Sequence, residues 1–187
     1  MIKINEQIPD FEFEAFVDND IKKLRFSDYK GKWLVLLFYP ADFTFICPTE
    51  LSEAADFYDS FRGLNAEVIS VSTDTAFVHK AWHDSSDSIR KIKYPMAADP
   101  TAQICRTFGT LIEEEGLSLR ATFIINPEGE LKAAEIHDNS IGRSTEEILR
   151  KLEAAKFVSE HDGEVCPVSW KPGKGTLKPG VDLIGKI

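Results

Sequence analysis

The chain has 187 residues, 43% of them hydrophobic and 28% charged, which suits one globular domain or one domain with an arm. Its net charge of −9 comes without a basic cluster, so nothing predicts nucleic-acid binding or attraction to an anionic membrane. MIKINEQIPDF has no apolar core of signal-peptide length, and the longest apolar run, Trp33 to Tyr39, is too short to span a bilayer; a cytoplasmic protein is expected, in which the three cysteines read as catalytic, transiently bonded or buried.

In chain order, the alternation in FEFEAFVDNDIKKLRF (Phe11 to Phe26) around Asp-Asn-Asp predicts an N-terminal β-hairpin. WLVLLFY is continuously apolar, as a strand covered on both faces should be. A helix should follow from about Pro48, with Leu51, Ala54, Ala55, Tyr58 and Phe61 at helical spacing and Arg62-Gly63 as its stop. EVISVST (Glu67 to Thr73) predicts a second buried strand, so strand, helix and strand make a right-handed βαβ unit. Cys47 then lies in the loop at the first strand's carboxyl end, where ligands of open α/β sheets gather.

Helical spacing resumes from Phe77 to Trp82, Pro95 and Pro100 bracket a short piece at MAAD, and a brief helix is predicted over Thr101 to Phe108. RATFIINPEGELKAAEIH (Arg120 to His137) reads as two strands joined by a Pro-Glu-Gly turn. Ser144 and Glu147 have capping-box spacing and open a helix with Ile148, Leu152, Ala155 and Phe157 on its apolar side. After Gly163 the text is rich in Pro, Gly and Lys without periodicity, which predicts an arm. The expected organisation is a domain over 1–160 and an arm over 161–187. The element order is that of a thioredoxin-like α/β fold, a central mixed β-sheet flanked by helices, but thioredoxin's Cys-x-x-Cys is missing.

Cys47 leads into a predicted helix. Unpaired N–H groups and partial positive charge at a helix start favour an anion, and a nearby arginine would favour a thiolate further. Thr44, three residues earlier, offers a hydroxyl that can donate or accept, and Pro40 ends the strand and can wall the sulfur from bulk water. These parts suit attack by an accessible sulfur on a small polar electrophile. From these residues alone, inert packing, the usual state of a buried cysteine, also stands open.

PADFTFICPTE (Pro40 to Glu50) contains Pro-x-x-x-Thr-x-x-Cys and resembles the active-site signature of the peroxiredoxins. SVSTDTAFVHKAWH, EEGLSLRATFIINPEGE, IGRS and GEVCPVSWKPG follow in family order over nearly the whole chain, and the text is similar to typical two-cysteine peroxiredoxins of the bacterial alkyl hydroperoxide reductase C type. The resemblance implies a thiol peroxidase acting on hydrogen peroxide and organic hydroperoxides. Cys47 would be the peroxidatic cysteine, Thr44 would hold the peroxide, Pro40 would shield the site and Arg120 would stabilise the thiolate. Glu50 would orient Arg120, and Arg143 of IGRS would support that network. Cys166 would be the resolving cysteine, forming an intersubunit disulfide with Cys47 across a homodimer that assembles further into a ring, a decamer in the family's usual form.

No GxGxxG or P-loop occurs, so no bound cofactor is expected and electrons should come from an external dithiol protein. The resemblance suggests a flavoprotein disulfide reductase or thioredoxin. Cys105 matches no motif and is expected in the core, and His79 and His83 lack a third metal ligand. HDSSDSIRKIKYPMAADP runs without the Gly-Gly-Leu-Gly insert of overoxidation-sensitive relatives and the chain ends VDLIGKI without their Tyr-Phe, implying an arm that unfolds readily. The competing reading from another class is a redox-switched binding protein, which would stop after about one peroxide per thiol where an enzyme turns over.

Overall fold

The computed structural model describes residues 1–186. Strands β1 (Glu12–Val17) and β2 (Asp20–Arg25) form the expected antiparallel hairpin. Its turn residues Asp18 and Asn19 both take positive φ, 52° and 60°, the geometry that joins two twisted strands in two residues. Strand β3 (Trp33–Phe38) is buried along its whole length.

One helix was expected over Pro48 to Gly63, and two are found. Helix α1 (Cys47–Asp56) and helix α2 (Tyr58–Gly63) part at Phe57, whose ψ of 1° leaves the helical range. The break serves a tertiary contact that periodicity does not report: the Tyr58 hydroxyl donates to Glu67 at 2.5 Å, on strand β4 (Ala66–Ser72). Cys47 is the first helical residue of α1 rather than a loop residue, and Pro48 takes the second position.

Helix α3 (Ala76–Ser85) is longer than expected and is capped by Thr75, which accepts from Val78 N. It buries Ala76, His79 and Trp82, leaving Phe77 outside. The MAAD piece is strand β5 (Met96–Ala98), and helix α4 (Gln103–Phe108) starts after a left-handed Ala102. Strands β6 (Leu111–Ile112) and β7 (Leu117–Ser118) form a small separate ribbon too short to leave a sequence pattern. Strands β8 (Arg120–Ile125) and β9 (Leu131–His137) are the expected antiparallel pair. Gly129 closes their turn at φ 91°, a conformation that side chains resist.

The sheet runs β2-β1-β5-β4-β3-β8-β9. It is mixed: β3, β4 and β5 are parallel, while β8 runs antiparallel beside β3. This is the thioredoxin-like α/β arrangement expected. One core gathers Leu34, Leu36, Phe38, Ile69, Phe108 and Phe123. Opposite side chains of β3 and β4 point to the other face, as strand alternation requires.

The chain divides into two compact units, Met1–Thr145 and the residues from Glu146 onward. Helix α5 (Thr145–Glu160) ends where the arm is expected to begin, and Ile187, the last residue of that expected arm, lies outside the described residues. Within the second unit, Val165 and Leu177 exchange backbone hydrogen bonds of 2.9 and 3.1 Å. Trp170 is buried, its ring 4.8 Å from Phe157 and its carbonyl accepting from Arg150 Nη1 at 3.0 Å. The Pro/Gly-rich text therefore has anchored points. No helix among the described residues is long and apolar enough to cross a membrane.

Candidate active site

The carboxyl end of β3 leads through Tyr39 and the buried Pro40 into a loop that delivers Cys47 to the start of α1. Phe43, inside that loop, has φ 55°, an unfavourable value for a bulky side chain. Cys47 is 1% exposed, so the sulfur expected to be open to reagents lies below the surface.

Arg120 opens β8, which pairs with β3 and so reaches the same sheet edge. Its Nη1 donates to Cys47 Sγ at 3.2 Å and to Glu50 Oε2 at 2.8 Å. Glu50, one helical turn beyond Cys47, lies on the same side of α1. Arg143 grips that carboxylate with Nε at 2.9 Å and Nη2 at 3.0 Å, adds its backbone N–H at 2.8 Å, and gives Nη1 to the Ala121 carbonyl at 2.7 Å. All four side chains are buried. Burial alone would push the Glu50 carboxyl up; hydrogen bonds and charge from Arg143, then Arg120, outweigh it and hold Glu50 below its usual value.

The structure thus brings Cys47, Glu50, Arg120 and Arg143 into one hydrogen-bonded chain. Thr44 is half-buried and turns its hydroxyl proton to the Ala41 carbonyl at 2.9 Å, which leaves the oxygen's lone pairs to accept. Cys166 lies in the second unit, half-buried, with Sγ 3.8 Å from the Ala154 carbonyl. Burial pushes its thiol up and Arg150 opposes that rise. Cys105 is fully buried, with its thiol pushed up to about 12 by burial and then by Asp99.

Asn139 was missed from the sequence. Its Oδ1 accepts from Arg120 N at 3.1 Å and its carbonyl from Arg120 Nε at 2.9 Å, fixing the guanidinium from the side away from Glu50. It sits in the turn after β9, where an asparagine signals only local geometry. Among the described residues no group of three or more His, Cys, Asp or Glu side chains could hold a metal ion.

Residues 4–134 match the AhpC/TSA family, and residues 154–186 match the C-terminal domain of 1-Cys peroxiredoxin. Alkyl hydroperoxide reductase C of Salmonella typhimurium is 49% identical over 187 residues, all of both chains, and so is that of Escherichia coli K12. Among solved structures, Enterococcus faecalis AhpC is 50% identical with a TM-score of 0.87, over 89% of this chain and 100% of the other. Reduced Plasmodium vivax 2-Cys peroxiredoxin is 32% identical with a TM-score of 0.92, over 96% and 94%.

Proposed function

Because the chain belongs to the AhpC/TSA family and is a thiol peroxidase, we propose that Cys47 is its peroxidatic residue. The observation that carries this reading is the contact of 3.2 Å between Arg120 Nη1 and Cys47 Sγ, with the same nitrogen 2.8 Å from Glu50. A fixed guanidinium donating to sulfur stays in place to stabilise charge leaving the peroxide.

The reaction takes hydrogen peroxide or an organic hydroperoxide, in keeping with the alkyl hydroperoxide reductases it resembles. The sulfur electron pair attacks the terminal peroxide oxygen, an S–O bond forms and the O–O bond breaks. The departing oxygen takes a proton and leaves as water or alcohol, and Cys47 becomes a sulfenic acid. Thr44 Oγ1 accepts from the bound peroxide O–H, and Pro40 keeps bulk water off. Glu50 and Arg143 are positioning residues that act through Arg120.

The Cys166 thiol of a neighbouring subunit then displaces water from the sulfenic acid to give the intersubunit disulfide. Cys47 is too buried to meet a second sulfur where it stands, so the first turn of α1 must open for this step. On this reading residues 1–160 are the catalytic body and 161–187 the arm that supplies the resolving sulfur. An external dithiol protein, a flavoprotein disulfide reductase or thioredoxin, returns two electrons by disulfide exchange. The dimer builds a ring, a decamer on this reading; the open rings of Phe45 (94% exposed) and Phe77 (70%) support contact between subunits. The cytosol, which keeps thiols reduced, is the compartment this cycle suits.

The test is stopped-flow peroxide consumption by wild type and Cys47→Ser with pH varied. Cys47→Ser should lose the reaction while keeping the fold, and a variant that still consumes peroxide would remove Cys47 from the chemistry.

A further inference from the structure

Tyr39, Asp42 and His79 form a buried polar cluster that the thiol chemistry does not use. The Asp42 and His79 side chains are fully enclosed, with Oδ2 2.8 Å from Nδ1. Asp42 Oδ1 accepts the Tyr39 hydroxyl at 2.7 Å, and burial, with Asp42 adding to it, keeps that phenol protonated. On the other side of the ring, His79 Nε2 lies 3.2 Å from the Ala97 carbonyl of β5. A carbonyl and a carboxylate both accept, so the ring is held between an acceptor at each nitrogen.

Asp42 is fixed through its main chain as well. Its N–H donates to Asp74 Oδ2 at 2.9 Å, and the same oxygen receives Ser72 Oγ at 2.8 Å. Three places therefore converge on one loop residue: the end of β3, helix α3, and the connection that follows β4. Phe43 comes next, at φ 55°. A bulky residue keeps such a backbone only where its surroundings over-determine it. Thr44 follows directly, and Cys47 is one turn further on. Loosening Asp42 lets Phe43 relax toward ordinary φ and swings the Thr44 hydroxyl away from its place.

We propose that His79 is a positioning residue for the peroxidase reaction: through Asp42 it fixes the loop from Pro40 to Ile46 and so sets where the Thr44 hydroxyl meets the peroxide. This rests on the reading of Cys47 and Thr44 given above.

The two ring nitrogens allow a paired test. In His79→Asn the amide nitrogen falls where Nδ1 stood, keeping a donor for Asp42 and dropping Ala97. In His79→Gln it falls where Nε2 stood, keeping Ala97 and dropping Asp42. Each variant is mixed in the stopped flow with tert-butyl hydroperoxide and, separately, with iodoacetamide, which alkylates Cys47 without needing Thr44. His79→Gln should lose about tenfold to a hundredfold in the second-order peroxide rate, as a small misplacement at a reacting centre does. Its alkylation rate should stay within about twofold of wild type, since the Arg120–Cys47 contact is untouched. His79→Asn should recover most of the peroxide rate. Equal losses in the two variants, an unaffected His79→Gln, or alkylation falling in step with peroxide would each reduce His79 to packing of α3 on β5 and overturn the proposal.

Tyr39→Phe removes the hydroxyl's bond to Asp42 and its longer contact, 3.5 Å, with His79 Nδ1 while keeping the ring, which covers the case of unfolded His79 variants. It should slow peroxide by about threefold to tenfold, the worth of a single hydrogen bond, with alkylation unchanged. No slowing overturns the proposal. If Cys47→Ser, with the cluster intact, consumed peroxide as wild type does, the site itself would be misassigned; that result is separate from any His79 outcome.

Discussion

Arg143 holds Glu50 on both carboxylate oxygens, through Nε at 2.9 Å and Nη2 at 3.0 Å, and closes the grip with its own backbone N–H at 2.8 Å. The free direction of that carboxylate points to Arg120 Nη1 at 2.8 Å, the nitrogen that also meets Cys47. Glu50 is therefore the hinge of a relay in which one arginine aims another.

Glu50→Gln should destabilise the fold by about 3–5 kcal/mol at neutral pH, because two buried guanidinium groups lose their shared counter-charge. The folded protein holds Glu50 below its usual value of 4.5. Its stabilisation is thus fully present above that value and is lost as pH falls through the lower folded one. Urea denaturation should show a constant gap between wild type and Glu50→Gln from pH 7 to about 5, narrowing below about 4.5. A gap that ignores pH would mean that the charge of Glu50 contributes nothing.

Arg120→Lys keeps a positive charge but cannot reach sulfur, Glu50 and the Asn139 carbonyl together, as the guanidinium does at 3.2, 2.8 and 2.9 Å. The peroxide rate should fall about a hundredfold, as when one preorganised donor is removed from a transition state. Iodoacetamide alkylation at neutral pH should slow as well, because sulfur loses the N–H that Arg120 Nη1 places 3.2 Å from it. Unchanged rates in both reactions would take Arg120 out of the site.

Asn139→Ala tests the far side of the same guanidinium. The side-chain bond to Arg120 N at 3.1 Å disappears while the backbone bond to Nε at 2.9 Å remains possible. A loss of about threefold to tenfold in peroxide rate is expected, the value of one hydrogen bond, with single-turnover kinetics as the readout. A loss as deep as that of Arg120→Lys would mean that the turn holding Asn139 collapses without its side chain.

The hairpin, the buried strand β3 and the β8–β9 pair were legible because each carries its own period and turn residues: the Asp18-Asn19 turn and Gly129 sit where positive φ is needed. Cys47, Glu50, Arg120 and Arg143 were legible through the motif text around them. Their bonding was not, since Glu50 meets Arg143 and Arg120 only after β8 docks beside β3. Asn139, Asp42 and His79 stayed hidden for the same reason: each finds its partner across the fold, and a lone polar letter in a turn or helix reads as surface. The helix predicted over Phe77 to Trp82 runs from Ala76 to Ser85, and it buries the polar His79 beside Trp82 while leaving Phe77 out. Side-chain hydrophobicity lost to a buried hydrogen-bond cluster.

Cys105 and Cys166 differ in the property that decides which can resolve a sulfenic acid. Burial, with Asp99 adding to it, pushes Cys105 up to about 12, so even at pH 9 almost none of it is thiolate. Cys166 is half-buried, and Arg150 opposes the rise that burial causes. After one equivalent of peroxide, Cys166→Ser should carry a dimedone-trappable sulfenic acid at Cys47 and show no covalent dimer on a non-reducing gel. Cys105→Ala should form the dimer as wild type does. A maleimide should label Cys105 only in denaturant, at pH 7 and at pH 9 alike. A covalent dimer that survives Cys166→Ser and vanishes when Cys105→Ala is added would transfer the resolving role to Cys105, and would require the interior around β6 and β7 to open on the timescale of turnover.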